Sequence, residues 1–88
     1  MKTLDTIKPG DTAYIVRVDS EGAIRRRLLD LGLTPKTKVL VRKTAPMGDP
    51  IELYLRGYEL TIRAEDARKI IVNGGGDEDS INRQSKLR

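Results

Sequence analysis

The sequence predicts a mostly β fold, a small barrel of five short strands with one α-helix between the first and second strands. Three observations predict it. Residues 51–63, IELYLRGYELTIR, alternate apolar and polar side chains on both sides of an Arg-Gly pair, which is the pattern of a hairpin. Residues 22–31, GAIRRRLLDL, place Ile24, Leu28 and Leu31 at i, i+4 and i+7, one stripe of a helix. The other apolar runs are short and bounded by glycine and proline. Short strands of this kind close or nearly close on themselves, because closure removes exposed edges.

The elements follow in order. Residues 1–8 are a polar lead-in anchored by Leu4 and Ile7. Pro9-Gly10 fits a type II turn, with Gly10 supplying the positive φ. Residues 12–19, TAYIVRVD, form the first strand, with Ala13 and Ile15 on one face and Tyr14, Val16 and Val18 on the other. Two largely apolar faces imply sheet on one side and the helix on the other.

The helix follows, with Ser20 as N-cap and Glu21 in the first turn, where the dipole favours an anion. Ile24, Leu28, Leu29 and Leu31 are expected to cover a barrel opening. Gly32 ends the helix in the left-handed conformation, and Leu33 folds back on Leu28 as in a Schellman motif. Pro35 holds Thr34 extended, and Lys36 after it points to a type I turn. Residues 37–43, TKVLVRK, are the second strand.

Residues 44–50, TAPMGDP, are a loop with Met47 at the tip; its thioether either stands exposed or, as the favoured reading, tucks back as a gap-filler. The hairpin pairs Leu55 with Tyr58, Leu53 with Leu60 and Ile51 with Ile62, so all six share the core face. Tyr54 pairs with Glu59 and Glu52 with Thr61 on the other face. Arg56 is a poor first residue for a type I′ turn, so a four-residue loop in the same register is the alternative. Residues 64–68 form one helical turn and 69–72 the last strand. A helical turn just before the last strand is typical of an SH3-like barrel.

The chain has 88 residues, enough for one domain, taken as 1–72. Residues 73–88, NGGGDEDSINRQSKLR, carry two large apolar side chains, Ile81 and Leu87, and read as a disordered tail. Its three acidic and three basic residues cancel, so the formal net charge of +4 belongs to residues 1–72. Cysteine and histidine are both absent, which removes disulfides, the commonest zinc ligands and most general bases. An enzyme is disfavoured. No run approaches the roughly eighteen apolar residues of a membrane span, so a cytoplasmic protein without membrane insertion is expected.

Arg25, Arg26 and Arg27 are the densest positive patch. Charge runs are often no more than solvated faces, but arginine forks also dock on acidic surfaces. An arginine finger would have to be extended and mobile, whereas these sit on a packed helix. Asp49, Glu52, Glu59, Glu65 and Asp66 show no spacing that assembles a metal site, so no cofactor is required and any divalent metal binding should be weak. Gly32, Gly48 and Gly57 lack phosphate-loop spacing and read as turn positions, like Gly10 and Pro35.

The arginine run, the Leu-Gly-Leu-Thr-Pro helix stop, the Gly-Asp-Pro loop, the Arg-Gly-Tyr-Glu-Leu hairpin and the final helical turn, in that order, resemble the FeoA family. The resemblance runs from about Thr3 to Val72. It implies an SH3-like domain of bacterial ferrous iron uptake, associated with the transporter FeoB and its cytoplasmic GTP-binding region, and a family link to transition metals. The expected function is a non-enzymatic adaptor, monomeric or weakly oligomeric, that contacts FeoB through Arg25, Arg26 and Arg27, with Met47 and Tyr54 as anchors. The alternative is a small nucleic-acid-binding barrel. With no Phe or Trp and three tyrosines, base-stacking platforms are scarce.

Overall fold

The computed structural model describes residues 2–74. Its elements are β1 (Lys2–Thr3), β2 (Thr12–Val18), α1 (Gly22–Asp30), β3 (Lys38–Thr44), β4 (Ile51–Leu55), β5 (Tyr58–Ile62), α2 (Ala64–Ala67) and β6 (Ile70–Gly74). The six strands form one antiparallel sheet in the order β1-β6-β2-β3-β4-β5. The mostly β, SH3-like architecture is as expected, but with six strands rather than five. The lead-in adds β1, pairing Lys2 with Val72 and Thr3 with Ile71, before Leu4 and Ile7 enter the core. The last strand runs on through Asn73 and Gly74, two residues beyond Val72. The tail expected from there lies, past Gly74, outside the described residues.

One apolar core fills the sheet. Ala13, Ile15, Val39, Val41, Ile51, Leu53, Leu55, Ile70 and Val72 are buried in it. Two bulges set its phase. Between Ile15 and Arg17 the β2–β6 register shifts by one, which returns Val18 to the core face while Tyr14 and Val16 stay outside. Strict alternation had placed Val18 with Tyr14 and Val16; the extra residue of a bulge overrides it. A second shift lies between Val41 and Lys43.

The β4–β5 register matches all five expected pairs. Leu53 is buried and Leu60 is partly buried, packed against the core. The turn is the tight one, with Arg56 at φ 51° and Gly57 at φ 89°. Arg56 is held there because its guanidinium donates to the hydroxyls of Thr34 at 2.8 Å and Thr37 at 2.9 Å.

The helix stop is a Schellman motif. The Gly32 N–H donates to Leu29 O at 2.9 Å and the Leu33 N–H to Leu28 O at 3.2 Å. The start differs from expectation. Glu21, not Ser20, is the N-cap; it makes no side-chain cap, and no acidic residue lies in the first turn. Leu28 is fully buried and Leu29 and Leu31 pack partly on the core, but Ile24 is 40% exposed rather than a core residue. The helix joins the core side of the sheet by its C-terminal half alone, so the outer face of β2 is not covered by it.

The turn at Pro35 is type II, not type I. Lys36 has φ 74°, and the Thr37 N–H donates to Thr34 O at 3.1 Å. Two bonds to Ile15, from Lys36 N–H at 2.7 Å and to Thr37 O at 2.9 Å, fix this backbone against local preference. Left-handed backbone costs an L-residue about 1–2 kcal/mol, partly offset in a glycine variant by its freer unfolded chain. Lys36→Gly is therefore expected to stabilise the domain by about 0.5–1 kcal/mol, read as a higher midpoint in urea. A lower midpoint would show that Lys36 is not strained.

Candidate docking surface

Every residue from Glu21 to Arg27 is exposed. Arg25 and Arg26 are the fourth and fifth residues of α1, away from the C-terminal end where the dipole favours cations. No carboxylate pairs with either among the described residues. Ile24 lies half-exposed beside them. The N-terminal half of α1 thus presents an exposed apolar side chain followed by two free cations, on a helix that its C-terminal half anchors.

Arg27 has a different place. It donates to Asp66 Oδ2 at 2.9 Å, and Asp66 is only 7% exposed. This pair ties α1 to α2. Of the three arginines expected to form one patch, two are free and the third is a structural link.

Asp49 is engaged as well, because its Oδ1 accepts the Ala64 N–H at 3.0 Å and so caps the start of α2. The Met47 turn and the buried end of α1 are both fixed to this four-residue helix. Met47 does not tuck back. It is 99% exposed, at φ 73° and ψ 7°, the third position of a type II turn closed by Gly48 N–H to Ala45 O at 2.9 Å. The backbone is thus left-handed at a non-glycine residue whose thioether is wholly solvated.

Tyr54 belongs elsewhere, on the outer face of the sheet opposite Leu40, so the five expected contact residues do not form one site. Tyr58, expected on the core face of the hairpin, is 41% exposed, and its hydroxyl donates to Leu31 O at the end of α1. Among the described residues no three acidic side chains come together as a metal site. Glu59 pairs with Arg42 at 3.3 Å. The exposure of Ile24 had no signal in the helical spacing, which continues the stripe through it.

The fold and these residues can be set against known proteins. The family model described as the FeoA domain matches residues 2–74. The chain belongs to the FeoA domain family. It is 38% identical over 69 residues to a Porphyromonas gingivalis protein described as an Fe(2+) transport protein A/Fe(2+) transporter FeoB fusion protein, covering 78% of this chain and 8% of that one. The solution structure of FeoA from Chlorobium tepidum aligns at TM-score 0.76 and 41% identity, over 86% of this chain and 76% of that one.

A zinc-complexed FeoA from Stenotrophomonas maltophilia, described as a prokaryotic SH3 domain protein, aligns at TM-score 0.74 and 23% identity, over 83% and 91% of the two chains. That last likeness speaks for the fold alone. The FeoA family is one of ferrous iron transport, and in the fusion relative an FeoA region and FeoB share one polypeptide. Among the described residues no helix of this FeoA domain is long and apolar enough to cross a membrane.

Proposed function

We propose that this FeoA domain is a non-enzymatic accessory protein of ferrous iron transport that works in the cytoplasm by binding an FeoB-type transporter and modulating it. The carrying observation is the free N-terminal half of α1, where exposed Ile24 is followed directly by the unpaired Arg25 and Arg26, one turn ahead of the half anchored by Leu28. Such a surface suits an acidic partner patch with a small apolar centre. Cations at the rim speed encounter, and a desolvated apolar anchor slows dissociation. Met47, held out on the turn fixed to α2, supplies a second apolar contact. The fusion of the two proteins in the relative supports FeoB as the partner. Nothing in the donor set supports chemistry of its own, since histidine and cysteine are absent.

The test is a titration of the full chain against the isolated cytoplasmic region of an FeoB-type transporter at low and moderate salt. The paired variant Arg25→Glu with Arg26→Glu is expected to keep its circular dichroism spectrum and to bind at least about tenfold more weakly. Binding by the parent should weaken with salt. Equal affinity would remove α1 from the interface, and no binding by the parent would overturn the adaptor reading. Arg27 is left unchanged in this variant, because its loss would strand the buried Asp66 and mix a stability defect into the result.

A further inference from the structure

The outer face of β2, β3 and β4 carries a second surface, away from the core side that α1 joins. Tyr14 lies opposite Lys38 on β3 and Asn73 on β6. Leu40 lies opposite Tyr54 on β4 and Thr12 on β2. Val16, the bulge residue, adds a further partly exposed apolar group. Two shallow open grooves flank this row. One is lined by Tyr14, Val16, Pro35, Lys36 and Asn73, the other by Lys38, Leu40, Tyr54 and Arg56.

The grooves share one chemistry. Both have apolar floors and tyrosine walls, and neither is lined by a carboxylate. Among the described residues Lys36 and Lys38 have no ion pair, and Arg56 is bonded to two neutral hydroxyls, so its charge is not cancelled. Tyr14 and Tyr54 are each 40% exposed. Unlike the hydroxyl of Tyr58, theirs have no protein partner among the described residues, leaving them to donate outward. Three uncompensated cations and two free phenolic donors around apolar grooves complement carboxylates alternating with apolar side chains. A second copy of the chain is disfavoured, since two-fold packing would bring these cations near their own counterparts.

We propose that this sheet face is a docking surface for an extended acidic segment of a partner protein, with an apolar side chain in each groove and its carboxylates on Lys36, Lys38 and Arg56. The proposal does not depend on the α1 surface. The test is a titration of the isotope-labelled full chain with a short blocked peptide of alternating glutamate and leucine, followed by amide chemical shifts. Shifts are expected at Tyr14–Val16, at 36–40 and at 54–56, with residues 22–27 unmoved, and the same peptide with lysine for glutamate should be silent.

Lys38→Glu and Tyr54→Ser, both at outward positions, should each weaken binding about tenfold with the rest of the spectrum preserved. Absence of shifts, shifts centred on α1, or equal response to the lysine peptide would overturn the proposal. So would matching shifts with an oligonucleotide, or self-association through the same residues. Tighter peptide binding by a full chain carrying Asp77→Asn, Glu78→Gln and Asp79→Asn would also overturn it, since the chain's own acidic stretch would then be the occupant.

Discussion

Leu28→Ala is expected to lower the unfolding free energy by about 2–5 kcal/mol, the usual loss when a fully buried leucine is truncated. Leu28 is 0% exposed and is the one fully buried side chain of α1. It also provides the carbonyl that receives the Leu33 N–H, so its backbone belongs to the helix stop as well as its side chain to the core. A domain of this size holds only a few kcal/mol of net stability, and the variant should be largely unfolded near body temperature. Ile24→Ala, on the same stripe one turn earlier, should cost well under half as much because that side chain is already 40% exposed. Urea titrations of both variants measure the difference. Equal losses would mean that α1 is anchored along its whole length.

Gly32→Ala is expected to cost about 1–2.5 kcal/mol, from two separable causes. Gly32 has φ 103°, a conformation that costs an L-residue about 1–2 kcal/mol, of which alanine's stiffer unfolded chain returns about 0.5–1 kcal/mol. A Cβ there would also meet the Tyr58 hydroxyl, the group that donates to the last turn of α1 through Leu31 O. The ring of Tyr58 is half-exposed and can swing aside, so the second cost is the lost hydrogen bond, about 0.5–1.5 kcal/mol. A double-mutant cycle with Tyr58→Phe isolates it. In the Phe background Gly32→Ala should cost only the backbone term, and an unchanged cost would show that Tyr58 is not displaced.

The β4–β5 hairpin and the end of α1 were legible in the sequence because both rest on local chemistry. Side chains alternating about a tight turn have one register that buries Leu53, Leu60, Ile51 and Ile62 together, and a glycine after an apolar helical stripe closes it in one way. The Pro9-Gly10 turn is as legible, with Gly10 at φ 96° and the Asp11 N–H donating to Lys8 O at 3.0 Å. The candidate site was harder to read, because whether a cation or an apolar side chain is free depends on what distant segments place beside it. Arg25, Arg26 and Arg27 are identical in sequence terms, yet Asp66, 39 residues beyond Arg27, pairs with that one and takes its charge out of the free patch.

The amino-acid sequence by itself determined the class of fold, the order of the main elements and the family, since hydrophobic period, glycine and proline positions and hairpin register are properties of short windows. The tertiary structure alone decided the rest. The bulge after Ile15 moved Val18 inward and left Tyr14 and Val16 outside. Hydrogen bonds from β2 forced Lys36 into a glycine-like conformation, and Asp49 was claimed as the cap of α2 while Met47 stood out from its turn. Each is a competition between a local preference of about 1 kcal/mol and several hydrogen bonds or a buried side chain supplied from elsewhere in the chain, and the larger, non-local term prevails.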